Sequence, residues 1–194
     1  LYDRLAARGA CFGSKMGWER ANWFAPVGVT PEAVYSFGRQ NWFPYAAAEH
    51  RATRDAVAVF DQTSFGKLVL QGRDAEAVLQ RLCTNDVAVP PGRIVYTGML
   101  NERGGYESDL TVARLADDHY QILTGAAQIT RDAHWIRRHI GEGEGVTLTD
   151  VSGAWVVLGL MGPRSRALLE AVSGAALDGA TCPFGTLTRL AIGG

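Results

Sequence analysis

The stretch from residue 92 to residue 112 constrains the fold of this chain more than any other part of the sequence. It reads as two strands, residues 93–100 and 106–115, joined by a turn that contains Gly104 and Gly105. One carboxylate, Asp109, lies inside the second strand. Aspartate is disfavoured in strands because its short side chain competes with the sheet for backbone hydrogen bonds. Asp109 is therefore either a solvent-facing acid on a half-exposed hairpin or a residue with a chemical function.

The rest of the chain mixes strand and helix patterns without a regular βαβ repeat. This order predicts an α+β fold with mostly antiparallel sheets and packed helices. In the clearest helix, residues 74–82, the apolar positions recur with helical spacing. The other strands are predicted at residues 67–71, 119–124, 146–151 and 154–160, and the other helices at residues 2–8, 46–57, 129–139 and 164–172.

The N-terminal part of the chain is unusually aromatic. Residues 1–44 form an aromatic-rich N-terminal segment and connector, and residues 45–194 form the predicted α+β body. We expect residues 11–24 to pack as irregular structure, and residues 26–44 to lie against a partner surface because flexible linkers are rarely so aromatic. The chain begins without Met and closes on a strand-like run at residues 187–194. We therefore expect one partial, C-terminally truncated domain of a longer polypeptide.

The composition excludes several functional classes. The formal net charge is −1, with acids and bases interspersed, so the chain lacks the basic surface that attracts nucleic acid or acidic membranes. No apolar run approaches the roughly 20 residues of a membrane-spanning helix. The cysteines Cys11, Cys83 and Cys182 lie far apart, which indicates reduced thiols and no metal site. We expect no nucleic acid, membrane or metal partner, and a cytoplasmic location in a bacterium or the mitochondrial matrix in a eukaryote.

Five groups of short motifs occur in collinear order along almost the whole chain. Together they resemble the folate-binding domain of the aminomethyltransferase (glycine-cleavage T-protein) family. No single motif is decisive, since Gly-Gly hairpins and Gly-Pro helix starts are common. The motifs are Leu1-Tyr2, Gly9-Ala10 and Gly17-Trp18; Glu49-His50, Arg54 and Phe60-Asp61; Tyr96 to Asn101, Gly104-Gly105 and Asp109-Leu110; Arg131 or Asp132 to Trp135-Ile136; and Gly162-Pro163.

Two features resemble one branch of that family, the C-terminal domain of dimethylglycine and sarcosine dehydrogenases. They are the run from Phe12 to Phe24, followed by the connector, and the segment from Glu107 to Val112. The resemblance implies a flavin domain with FAD, absent from this chain, that oxidises an N-methyl group. The present domain then passes the one-carbon unit to tetrahydrofolate, giving 5,10-methylene-tetrahydrofolate. Reduced folate and the flavin domain of the same polypeptide are the implied partners.

The resemblance also implies roles for individual residues. Asp109 matches the aspartate that orients the folate amines and stabilises positive charge near them. Tyr96 aligns with an aromatic residue near the folate, although it can equally fill the sheet face as a cross-strand aromatic. Phe65 stands where the family has an apolar cofactor contact. Strand alternation places Glu107, Thr111 and Ala113 on the Asp109 face, which makes Thr111 a second contact, and turns Tyr106, Ser108, Leu110 and Val112 to the opposite face.

Two departures from the family pattern affect the site. Gly125 replaces a pocket asparagine, so one amide hydrogen bond is lost or supplied by backbone. The glutamate that grips the pterin ring in the family lies beyond Gly194, so we expect an incomplete pocket here. Three alternatives stay open: glycine-cleavage aminomethyltransferase proper, a non-catalytic folate-binding module, and a segment that uses its aromatic connector to seat a flavin domain.

Overall fold

The computed structural model describes residues 1–193 and has the predicted α+β architecture. Every pairing between its named strands is antiparallel. Two compact units are formed, one by Leu1–Gln62 with Val157–Val172, the other by Thr63–Val156 with the residues from Ser173 onward. The elements are α1 (Tyr2–Ala6), β1 (Ala10–Lys15), β2 (Trp18–Phe24), α2 (Phe43–Asp55), β3 (Ala58–Asp61), β4 (Gly66–Gln71), α3 (Ala75–Leu82), β5 (Ile94–Leu100), β6 (Tyr106–Ala116), β7 (His119–Thr124), α4 (Ile129–Arg138), β8 (Thr147–Asp150), β9 (Leu158–Met161) and α5 (Ser165–Ser173).

In the first unit, the segment predicted to be irregular is a β-hairpin. Strands β1 and β2 pair directly, and their tight turn uses Met16 and Gly17, both with positive φ. Such a turn matches the twist of the strands that it joins. Trp23 is buried and stacks on Tyr45 with ring centroids 5.3 Å apart. The prediction for residues 11–24 was wrong because the bulged, aromatic strands lack a clear alternation of apolar and polar residues.

The same unit contains a second, two-stranded sheet in which β3 pairs with β9. The sequence did not predict β3, and the strand predicted over 154–160 begins only at Leu158. A short 3-10 turn over Ser152–Ala154 occupies the start of that predicted strand. Strand β3 finds its partner about a hundred residues away along the chain, so no local pattern marks it.

The second unit is built on a five-stranded sheet in the order β5-β6-β7-β4-β8. Its core lies between one sheet face and the helices α3 and α4. The helices bury the residues that helical spacing places on one side, which include Val78 and Leu79 in α3 and Ile136 in α4. From the sheet, this core receives Leu68, Leu70, Leu110, Val112 and Ile122.

The other end of this unit corrects one prediction. The run at residues 187–194 was predicted to be strand-like, but residues 187–193 form no strand; residue 194 lies outside the described residues. Instead, a single β-bridge joins Thr186 to Arg93, beside β5, and the backbone N–H of Leu187 donates to the carbonyl of Gly92. The chain therefore contacts the edge of β5 around Thr186 without forming a further strand of the sheet.

Candidate functional site

Asp109 and Tyr96 meet on the sheet face opposite the helices. Tyr96 pairs with Thr111 in the neighbouring strand, and Gly98 pairs with Asp109. The Tyr96 hydroxyl donates a hydrogen bond of 2.7 Å to Oδ2 of Asp109. This bond and the nearby negative charge raise the pKa of the Tyr96 phenol, because both favour its protonated form. Tyr96 is 65 % exposed, so its ring does not simply fill the sheet face.

The same face carries the two other predicted contacts. Thr111 lies between Tyr96 and Leu123 in one cross-strand row. Gly66 faces the helices, because a Cβ atom added there would collide with Ile129 in α4. Neighbouring residues of a strand face opposite ways, so Phe65, directly before Gly66, faces away from the helices. Phe65 is partly exposed, as expected of an apolar wall.

Register brings Phe65 towards Asp109 at one end of the sheet. Thr124 pairs with Gly66 on one side and with Leu110 on the other. Gly125, which comes next in the chain, therefore lies between Phe65 and Asp109 in one cross-strand row. Phe65 and Asp109 are thus two strand spacings, or about 10 Å, apart. The small residue that replaces the expected asparagine leaves this position open.

A β-bulge in β6 changes which residues share the Asp109 face. Met99 pairs with Ser108, but Leu100 pairs with Tyr106, so the strand contains one extra residue at Glu107. Tyr106 therefore lies on the Asp109 face, and the predicted placement on the opposite face was wrong. The Tyr106 ring lies directly over Gly98, where a Cβ atom would come within 2.5 Å of the phenol oxygen. Tyr106 is 67 % exposed.

Glu107, the extra residue, belongs to a separate group of contacts beside the turn. Its carboxylate accepts hydrogen bonds from Nδ2 of Asn101 (2.8 Å) and from the Arg131 guanidinium (2.6 Å). These two contacts lower the pKa of Glu107, with the Asn101 bond the larger cause. Oδ1 of Asn101 accepts from the backbone N–H groups of Arg103 and Gly105. Asn101 thus fixes both the turn and the bulge.

On the helix-facing side of β6, Ser108 joins a buried polar cluster. Its hydroxyl donates a 2.8 Å hydrogen bond to Oδ2 of Asp132, in the first turn of α4, and the Thr124 hydroxyl donates to the same oxygen. Asp132 is only 1 % exposed, and burial raises its pKa. Ser108 therefore faces away from Asp109 as predicted, but it bonds a carboxylate that the sequence analysis did not assign.

Sequence reasoning missed Tyr106, Asp132 and Lys67. Lys67 is fully buried and shares a cross-strand row with Thr111; its Nζ donates to the carbonyl of Thr63. A lysine within an apolar strand was an available signal, whereas the bulge that turns Tyr106 had none.

Among residues 1–193, no group of three or more His, Cys, Asp or Glu side chains is placed to hold a metal ion. No helix in the same range is long and apolar enough to cross a membrane.

Around Asp109 this sheet face is open to solvent, whereas Lys67, two strands away on the same face, is buried. An exposed strand carboxylate with a phenol donor, on such an open part of an antiparallel sheet, is an arrangement suited to binding a ligand with N–H groups. The chain belongs to the GCVT N-terminal domain family, whose match covers residues 1–194. This confirms the resemblance to aminomethyltransferases seen in the sequence.

Individual relatives agree with this family and with the predicted branch. The chain is 41 % identical over 173 residues to a formaldehyde-forming 4-methylaminobutanoate oxidase from Paenarthrobacter nicotinovorans, with 89 % of this chain and 21 % of that protein covered. It is 34 % identical to human mitochondrial sarcosine dehydrogenase, with 96 % of this chain and 24 % of that protein covered. The chain thus spans about a quarter or less of these curated relatives.

A solved structure supports the fold independently. The crystal structure of the glycine cleavage system aminomethyltransferase T from Bartonella henselae matches 88 % of this chain and 42 % of its own, with a TM-score of 0.71 and 23 % identity. At this identity the match is informative about the fold alone.

Proposed function

We propose that this chain binds tetrahydrofolate on the open face of its five-stranded sheet and takes part in one-carbon transfer. The carbon comes from an oxidised N-methylated amine, of the dimethylglycine or sarcosine type, and the product is 5,10-methylene-tetrahydrofolate. The observation that carries this proposal is the Asp109 carboxylate, which lies exposed in mid-strand and is hydrogen-bonded to Tyr96. Such a carboxylate can accept N–H groups of a ligand without unfolding any part of the sheet.

Asp109 would orient the folate and balance its charge. Tetrahydrofolate supplies two amine nitrogens that are competent nucleophiles without activation, so the chain has chiefly to position them. A carboxylate beside them stabilises the positive charge that develops as the carbon arrives. The Tyr96 bond holds one carboxylate oxygen in place, while Thr111 and Phe65 would contact the ligand from the same face. Ordering by existing hydrogen bonds lowers the cost of binding.

The length of the relatives supports a larger assembly. An oxidase and a dehydrogenase that act on N-methylated amines are about four to five times longer than the matched segment. We infer that an FAD-containing flavin domain of the same polypeptide supplies the oxidised amine. Tyr35 is 90 % exposed and Phe37 fully exposed, which fits a connector that docks on that domain. The compartment follows the source: cytoplasm in a bacterium, mitochondrial matrix in a eukaryote.

A folate titration tests the proposal directly. A stable reduced folate, 5-formyl-tetrahydrofolate, is titrated into the 194-residue chain while tryptophan fluorescence is followed. Saturable binding is expected, and Asp109→Asn should weaken it by about tenfold or more, because hydrogen bonds to a charged group are worth about 1.5–3 kcal/mol. Asp118→Asn, in the exposed β6–β7 turn, is the matched control and should bind as the wild type does.

Two further results complete this test. Absence of saturable binding by a chain that circular dichroism shows to be folded would contradict the proposed folate site. If binding occurs, formaldehyde and tetrahydrofolate are mixed with and without the chain, and the initial rates of 5,10-methylene-tetrahydrofolate formation are compared, because the two compounds also condense without a catalyst. Binding with no increase over the protein-free rate would favour the non-catalytic folate-binding module over the transfer function.

A further inference from the structure

Tyr106 occupies a position that strand alternation does not predict, and Gly98 makes that position possible. The bulge at Glu107 turns Tyr106 onto the open face of the sheet. There its ring lies against the bare backbone of Gly98: a Cβ atom at Gly98 would be 2.5 Å from the phenol oxygen, 2.6 Å from Cζ and 2.8 Å from Cε1. Any side chain at residue 98 would displace the ring.

This position places the phenol beside Asp109. Gly98 and Asp109 are direct cross-strand partners. The Cβ positions of such partners are about 5 Å apart. Tyr96 lies two residues before Gly98 on the same strand face and donates to the carboxylate. The charge interaction with Tyr106 also contributes to the raised pKa of Tyr96, although it is the smallest of the contributions. Two phenol rings therefore lie close to one carboxylate.

We propose that Tyr106 and Tyr96 form two walls of a single ligand subsite around Asp109, with Tyr106 in contact with the flat ring of the bound folate. This inference rests on the proposed function and adds a binding residue to it. Both phenol rings are about two-thirds exposed, so each offers free surface. A planar, nitrogen-rich ring has the chemistry that this subsite would recognise, because it can contact an aromatic face while its N–H groups donate to the carboxylate.

The competing explanation is that Tyr106 only covers the backbone at Gly98. Three variants separate the two explanations: Tyr106→Ala removes the ring, Tyr106→Phe keeps it, and Gly98→Ala displaces it without changing its chemistry. The displacement is tolerable because the atoms that must move belong to the far end of an exposed side chain. Phe184→Ala removes a fully exposed aromatic ring from the same unit and serves as the control.

Binding of 5-formyl-tetrahydrofolate by each variant provides the test. Tyr106→Ala and Gly98→Ala should each weaken binding by about 3- to 10-fold, the range expected for one aromatic contact. The double variant, with Tyr106→Ala and Gly98→Ala together, should bind the folate as well as the single variant with the lower affinity, because both changes remove the same contact. Tyr106→Phe and Phe184→Ala should bind within about twofold of the wild type.

The outcomes distinguish this inference from the function on which it rests. If Asp109→Asn weakens binding but Tyr106→Ala leaves it within twofold, the folate site stands and the role of Tyr106 is refuted. Additive effects of Tyr106→Ala and Gly98→Ala would also refute it, since each residue would then act separately. If the folded wild-type chain binds no reduced folate, the proposed function fails and this inference fails with it.

Discussion

Asp109 and Ser108 are neighbours in β6, yet they lie in opposite environments. The Asp109 carboxylate is exposed and receives one phenol hydrogen bond, whereas the Ser108 hydroxyl is buried and donates to a second carboxylate, Asp132. The open face thus holds an acid that a ligand can reach, and the closed face holds one that only protein groups reach. The two carboxylates therefore lie in different environments, because the two faces of β6 are turned to solvent and to the core.

The closed face carries an energetic cost that the open face avoids. Within the part of the chain that the structure describes, Oδ1 of Asp132 is buried without a hydrogen-bond partner, while Oδ2 receives two. Burying an acid in this way favours its neutral form. The nearby Asp109 charge acts in the same direction, although burial is the larger cause of the raised pKa of Asp132. The two faces are therefore coupled electrostatically.

The largest expected difference between the faces comes from a pair of glycines. Gly66 faces the core, where an added Cβ would collide with Ile129 and lie 2.9 Å from Cγ2 of Thr124. Gly66→Ala should lower the free energy of unfolding by about 1–3 kcal/mol, since packed branched side chains cannot move aside. Gly98→Ala, on the open face, should change it by no more than about 0.5 kcal/mol. Urea denaturation of both variants measures this, and equal losses would contradict the contrast.

A smaller effect should appear in the pH dependence of stability. In the folded chain the pKa of Asp132 is raised above its ordinary value of 3.8. The free energy of unfolding should therefore fall as the pH rises from 3.8 through this raised pKa, where the buried carboxyl loses its proton. Asp132→Asn keeps an acceptor for both hydroxyls but cannot ionise. Relative to the wild type, this variant should therefore gain stability, on the order of 1 kcal/mol, between about pH 4 and pH 7.

Glu107 provides the opposite sign for the same measurement. Its pKa is lowered, so its contribution is present above the ordinary glutamate pKa and is lost as the pH falls through the lowered value. The loss of unfolding free energy caused by Glu107→Gln, relative to the wild type, should therefore become smaller in acid. The gain caused by Asp132→Asn should become smaller there as well. A stability difference between Asp132→Asn and wild type that stays constant with pH would show that Asp132 does not titrate abnormally.

The smallest effect is expected at the Arg131–Glu107 ion pair, on the rim between the two faces. The pair is 2.6 Å long, but the Arg131 side chain is largely exposed. Arg131→Ala should cost about 0.2–1 kcal/mol of unfolding free energy, less at high salt. Arg137→Ala, an exposed position on the same helix, is the control. A loss well above this range would mean that the pair holds the bulge in place.

Sequence patterns predicted the second unit well because its signals are local. Strand β7 was predicted at its observed bounds, and α3, α4, β5 and β6 within a residue or two. Their apolar residues follow the spacing of one buried face, so packing and periodicity agree. The first unit was predicted less well. The hairpin of β1 and β2 has no clean alternation, and β3 depends on a strand far along the chain.

The candidate site was predicted in part for the same reason. Simple alternation placed Thr111 on the Asp109 face, and the family resemblance placed Tyr96 near the same site. The observed register brings the three residues together. The role of Asp109 in chemistry stays a prediction. Tyr106 was misplaced because a bulge depends on the cross-strand partner, which single-strand alternation ignores. Asp132 was missed because its burial arises from the docking of α4 against β6 and β7.

The bulge also allows the two ends of β6 to change independently of each other between related sequences. Residues on the turn side follow one alternation, and Asp109 and the residues after it follow another. A change in turn length that adds or removes the extra residue at 107 would swing the residue at 106 to the other face and leave Asp109 where it is. Related chains can therefore gain or lose an aromatic neighbour of the carboxylate without giving up the carboxylate itself.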